Sequence, residues 1–431
     1  MATARGIAST TFRSLRIRNY RLFFIGQGIS LCGTWMQTIA LGWLVLHLSG
    51  NSGVAIGAVI ALQFVPTLLF GAWGGVLADR FDKRILLVVT AITMACTATA
   101  LAVLTLSGVI ALWMVFALVL VQGFAQAVDN PARLSFVSEM TGPADLPNAV
   151  GLNSALFQVA RIVGPAFAGV VIVAVGTGWC FALNALSFVA VIGALLLMNP
   201  AGLYRQPPLA RAKGQVREGL RYIRETPELR SILLMTAVVG TLAINYPVVL
   251  PLIAKLTFHG NAATYSWMTV SMGVGALVGA LVVAHRQNPT GRLVFFAGIG
   301  FGAAILIASF APTLALFVFF IAFVGAGQIT FLATCQSTVQ LGAEPSKRGR
   351  VMAVYTITVL GSTPIGGPLV GWISQQWGPR YGLAVGVATA IAITLAFART
   401  LLRRPEDSVP TEPASADRRI GGLVTRVSSG S

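Results

Sequence analysis

The stretch 74-GGVLADRFDKR-84 sets five charged residues, Asp79, Arg80, Asp82, Lys83 and Arg84, into six positions between two long apolar runs. Charge is scarce elsewhere: 10% of the 431 residues are charged and 56% are hydrophobic. A soluble domain carries about 25% charged residues. Apolar runs of about 20 residues are long enough to cross a bilayer as helices, which satisfy their own backbone groups inside hydrocarbon. A soluble all-helical protein with a large core is the alternative, and this composition disfavours it.

Twelve such runs are read outward from the quoted stretch, at 22–46, 53–77, 85–107, 110–130, 148–174, 179–198, 230–254, 264–285, 292–310, 313–338, 350–373 and 380–402. The abundance of glycine, 46 residues, suits membrane helices, where small residues permit close packing. The chain divides into a segment 1–21, a six-span half 22–198, a linker 199–229, a second six-span half 230–402 and a polar tail 403–431 that reads as disordered.

The net charge is +17, and its placement decides its meaning. If twelve helices alternate, 27 of the 30 Lys and Arg fall on one side, with Lys255 and Arg380 opposite and Arg161 within a span. The positive-inside rule then places both termini in the cytoplasm. The charge reports topology and gives no case for nucleic acid. The linker segment 216-VREGLRYIRETPEL-229 aligns Val216, Leu220 and Ile223 on one helical face, flanked by Arg217, Arg221 and Arg224. That is the pattern of a basic amphipathic helix on the inner membrane surface, with a solvated linker as the plainer alternative.

The halves echo one another. Ala78-Asp79-Arg80 aligns with Ala284-His285-Arg286, Gly123 and Gln126 with Gly325 and Gln328, and Gly164 with Gly366. A repeat of half the chain is a transporter arrangement. There is no G-x-x-x-x-G-K-[ST] loop, so the chain carries no ATPase site of that kind. No Ser/His/Asp set, metal-ligand cluster or cysteine framework stands out, so no enzyme activity and no cofactor are expected.

Polar residues recur as stripes inside the spans. Gln122, Gln126, Asp129 and Arg133 share one helical face, and Gln27, Ser30, Thr34 and Gln37 share another. Polar stripes in lipid turn toward protein or a water-filled cavity. The seventh span offers Asn245 and Tyr246, and the tenth Gln328 and Gln336. For each, a helix–helix hydrogen bond and a substrate contact both remain open. Arg161 lies deep in the fifth span and needs a partner or water; Asp129, the one acid within or near the end of a span, is the candidate. Arg161 belongs either to a substrate or gating network or to a structural ion pair. Gly164, Pro165 and Gly169 follow it, and a bend with close packing is expected there.

Gly75-Val76-Leu77-Ala78-Asp79-Arg80-Phe81-Asp82-Lys83-Arg84 resembles the loop signature Gly-x-Leu-Ala-Asp-Arg-x-Gly-Arg-Arg of the major facilitator superfamily, with Asp82 replacing the second glycine. The segments 35-WMQTIALGWLVLHLSG-50, 129-DNPAR-133 and 160-ARIVGPAFAG-169 resemble its enterobactin-exporter-like and drug-efflux permease branch. The resemblance implies an all-α integral membrane protein with twelve transmembrane helices in two six-helix bundles. It implies a monomeric inner-membrane permease that exports a drug, siderophore or secondary metabolite by alternating access, with proton coupling. It assigns Gly75, Asp79, Arg80 and Arg84 to a cytoplasmic latch, Lys83 fitting topology alone, and it lines the central cavity with helices one, four, seven and ten. One departure weakens the proton expectation: Val119 stands where the fourth-helix signature carries an arginine, and no carboxylate lies deep in a span. An importer of a nutrient or organic anion in the same fold, and a non-transporting receptor or scaffold, are the alternatives.

Overall fold

The computed structural model describes residues 11–204, 215–284, 290–345 and 347–402, nearly all of them helical. In the first half α1 is Arg18–Leu48, α2 Gly53–Arg80 and α3 Lys83–Leu106. Next comes one helical run, Leu112–Val175, of 64 residues. Straight, it would be ~96 Å long, three times a bilayer core. Gly142, at φ 67° and ψ 175°, interrupts it. That conformation suits glycine and divides the run into α4 (112–141) and α5 (143–175). α6 is Thr177–Leu196. In the second half α7 is Gln215–Glu225, α8 Pro227–Leu242, α9 Tyr246–Leu252, α10 Ala262–Ala284, α11 Gly291–Ser309, α12 Leu314–Gly342, α13 Arg348–Trp377, α14 Pro379–Ala396 and α15 Ala398–Leu402.

Eleven of these runs are long and apolar enough to cross a membrane, with Leu112–Val175 taken once and Pro227–Thr257 taken as one. Divided at Gly142, they accord with twelve crossings. Two expectations need correction. The connection expected between the fourth and fifth spans is helical throughout, apart from Gly142. The seventh span is discontinuous: α8 ends at Leu242, residues 243–245 leave the helix, and α9 leads into a π-helical turn, Ile253–Thr257.

The opening stretch acquires a local cause. Asp82 is the N-cap of α3, its side chain accepting from the Arg84 and Ile85 amides at 2.9 and 3.4 Å. A side-chain cap of this kind contributes about 1 kcal/mol. Gly74 is a close approach to α4: a methyl group there would strike the Ala127 carbonyl. Gly75 is buried beside it.

The weak repeat has a packing counterpart. Gly123 of α4 lies against the Gln63 carbonyl of α2, and Gly325 of α12 against the Met272 carbonyl of α10. Gly164 of α5 lies against the Cys32 carbonyl of α1, and Gly366 of α13 against the Thr241 carbonyl of α8. The paired glycines do the same work in the two halves, letting backbones meet where a side chain would hold them apart. His285 and Arg286 of the third echo fall outside the described residues, as do Pro207, Pro208 and the tail 403–431.

Among the described residues the halves meet chiefly through two helix pairs, α2 with α13 and α5 with α10. The approach is tightest where α2 begins and α13 ends. Gly53 lies on Gly371 and Gly57 on Gly367, backbone against backbone, and the Ser52 hydroxyl meets Gln375 Oε1 at 2.8 Å. Ion pairs between described residues at the opposite, basic end include Arg13 with Asp145 and Lys83 with Glu139 in the first half, and Glu218 with Arg350 in the second. α7 docks there on the start of α13 through Gly219, which faces the Arg350 backbone, and through buried Ile223. Leu220 is 40% exposed, so the docked face runs through Gly219 and Ile223 and leaves Leu220 outside it.

Candidate functional site

A cavity of about 260 Å³ lies between the halves, lined from α1, α2, α5, the α8–α9 break, α10, α12 and α13. Its walls are mostly apolar, with Ile39, Ile60, Phe64, Ile244, Val248 and Met272 among them. Among the described residues the one ionic side chain in its lining is Arg161. Its Cζ lies 5.7 Å from the centroid of the Trp35 ring, and Trp35 in turn meets Phe157 edge-on at 5.6 Å. Gly164, one turn beyond Arg161, makes this possible: a methyl group there would meet the Cys32 carbonyl and Trp35 Cβ, both at 2.6 Å. α1 therefore sits close enough to present its indole to the guanidinium.

That contact does not settle the charge. A guanidinium at membrane depth costs ~3 to over 10 kcal/mol, depending on how the cost is measured, and a cation–π contact returns ~0.5–2 kcal/mol. Among the described residues Arg161 has no salt bridge. The expected pairing with Asp129 is not made: Asp129 instead holds Arg133 at 3.0 Å and accepts from the Thr90 hydroxyl at 3.0 Å. Arg133 lies four residues on, one helical turn away, and local geometry supplies the partner before a distant cation can.

The α8–α9 break supplies two of the cavity's hydrogen-bonding side chains, Asn245 and Tyr246. Pro247 has no N–H, and the chain leaves the helix just before it. Asn245 Nδ2 donates to the Thr241 carbonyl at 2.7 Å, while Asn245 Oδ1 has no partner. The Tyr246 hydroxyl and Gln328 Oε1 are likewise buried and unpartnered. A buried unsatisfied polar atom costs about 1–3 kcal/mol, so three around one cavity are a standing expense that a bound molecule would remove. Broken helices at membrane depth line transporter binding sites for the same reason.

Of the residues named from the sequence, Arg161, Asn245, Tyr246 and Gln328 line this cavity. Gln37 and Gln122 do not. Gln37 Nε2 donates to Gln122 Oε1 at 3.1 Å, and Asn184 Nδ2 donates to Gln37 Oε1 at 2.6 Å, a closed network inside the first half. Gln27 is buried outside the lining, and the Thr34 hydroxyl donates to the Ser30 carbonyl. Gln126 is half-buried and Gln336 exposed, both away from the cavity. Pro165 leaves helical backbone angles intact; the non-helical residue in this run is Gly142. Gly164 and Gly169 serve close packing, Gly169 against Ser266 of α10. Trp35, Gln63, Tyr265 and Thr363 line the cavity and went unselected in the sequence. Gln63 was detectable as a lone amide in an apolar run, and the break was detectable from Pro247.

In the 2–3 connection Arg84 is tied within its own half. Its Nε and Nη2 donate to the carbonyls of Leu195 and Leu196 at 2.6 and 2.9 Å, capping the end of α6. Lys83, read from sequence as topological only, meets the buried Glu139. Asp79 is half-buried and Arg80 exposed.

A central cavity between two repeated helical halves defines a membrane transporter. The match to the family model for transmembrane secretion effectors spans residues 9–419, and the chain belongs to that family within the major facilitator superfamily. It is similar to the staphyloferrin A transporter of Staphylococcus aureus, 24% identical over 381 residues, covering 88% of this chain and 95% of that one. It is also similar to macrolide efflux protein A of Streptococcus pyogenes, 23% identical over 396 residues, with coverage of 88% and 96%. Among solved structures, the nucleoside transporter NupG shares the fold with a TM-score of 0.72 at 13% identity, covering 89% of this chain and 100% of that one.

Proposed function

We propose that this secondary transporter exports a small amphipathic molecule across the inner membrane by alternating access, as a monomer with both termini in the cytoplasm. The observation that carries the reading is the apolar cavity between the halves, with Asn245 Oδ1, the Tyr246 hydroxyl and Gln328 Oε1 unpartnered around it. Efflux in the name of one relative supports the direction. A cavity completed by one chain supports the monomer, and the basic end of the bundle supports the orientation. At about 260 Å³ the cavity falls just below the usual range of ligand sites, ~300–1,000 Å³.

The alternate state is the one that opens the glycine seam between α2 and α13. We assign the 2–3 connection, through Asp79 and Arg80, to steadying that state from the basic end. Asp79→Asn is then expected to cut flux with membrane expression unchanged; full flux would refute the assignment. Asp129 is our assignment for proton coupling, because protonating it cancels its attraction for Arg133. The decisive test is accumulation of lipophilic dyes, macrolides and a catecholate siderophore in efflux-deficient cells expressing the protein, with and without a protonophore. Lowered accumulation that the protonophore restores is expected. Raised accumulation would overturn export, and lowered accumulation indifferent to the protonophore would overturn proton coupling.

A further inference from the structure

We propose that the cargo is an organic acid that binds as its anion, its carboxylate or equivalent group seated on Arg161 and its apolar body against the indole of Trp35. The inference rests on reading the central cavity as the cargo site and names the chemical class that fits it. Among the described residues the lining holds one guanidinium and no Asp, Glu, Lys or His. Among the described residues Arg161 has no acidic partner, and the face of Trp35 holds it only by its ring. An anion supplies the missing counter-charge in a low-dielectric site, where charge-assisted and bidentate hydrogen bonds to a guanidinium are strongest. A cation entering the same space meets like charge at short range with little water to screen it.

The rest of the cavity sharpens the class. Asn245 Oδ1 and Gln328 Oε1 are unpartnered acceptors, so the cargo presents a hydroxyl or N–H donor as well as its acid. The apolar walls and the flat indole favour a compact aromatic or conjugated body over a highly hydrated polyanion.

The test is equilibrium dialysis of purified full-length protein in detergent, with a micelle-only control, against 2-naphthoate, 2-naphthamide and 2-naphthylmethylammonium. These three probes share one body and differ in charge. The expected order in the wild type is acid, then amide, then ammonium, with the acid held at least about ten-fold tighter than the amide, as a hydrogen bond to a charged group predicts. Arg161→Gln is expected to abolish the gap between acid and amide, and Arg161→Lys to keep part of it. Equal binding of acid and amide, preference for the ammonium, or binding of none of the three would overturn the inference. The wild-type order alone decides the sign, so a poorly behaved Arg161→Gln protein leaves a result. Acid-selective binding without any flux would refute transport and leave this inference standing; flux without acid preference would do the reverse.

Discussion

The two halves share a fold and a packing pattern but treat their buried polar groups differently. In the first half Gln37, Gln122 and Asn184 complete one another's hydrogen bonds. In the second half Asn245, Tyr246, Ser266, Gln328, Thr334, Arg348 and Ser374 each keep a buried atom with no partner, against Thr105 alone among the described residues of the first. A satisfied network makes a rigid body, while unsatisfied groups are costly and persist where something else is to bind them. The first half is thus the more satisfied scaffold and contributes the cation, Arg161, while the second half contributes the unpartnered groups of the lining.

The largest expected effect lies at the seam where the halves meet. Gly57→Leu drives a side chain into the Gly367 carbonyl, so the closed end cannot form. Flux is expected to vanish while the protein remains in the membrane; vesicle uptake with a surface-expression control checks it. Within the first half, Gln37→Leu strands both Gln122 and Asn184, which is expected to cost about 2 kcal/mol or more of stability. A thermal melt in detergent measures it, and an unchanged midpoint would break the contrast between the halves.

The matching change in the second half should behave oppositely. Tyr246→Phe or Gln328→Leu removes a polar atom that is already unpartnered, so the melt is expected to hold or rise while flux falls by up to about ten-fold. A lowered melt with normal flux would make those residues structural. The smallest effect is expected at Asp82→Ala, which loses the α3 cap for about 1 kcal/mol and leaves flux per folded molecule unchanged.

Much of the fold was legible because its signals are local. Spans declare themselves by length and apolarity, and the alternation of basic loops reports their number. The glycines aligned at Gly123 and Gly325 announced a repeat before their shared packing was visible. The site was half legible. Arg161, Asn245, Tyr246 and Gln328 stood out as polar residues in apolar runs, and all four line the cavity. Gln37 and Gln122 stood out for the same reason and turned toward each other, because facing a neighbouring helix and facing a cavity leave the same mark on a single helix.

The sequence by itself determined the helices, their membrane character and the family, since hydropathy and the 2–3 signature depend on neighbours in the chain. Tertiary structure alone decided the partners. Asp129 went to Arg133 because a residue one turn away is always within reach. Arg161 went to Trp35 because Gly164 lets a distant helix approach. Which polar atoms are left waiting depends on how whole helices pack, and no stretch of the chain read alone contains that.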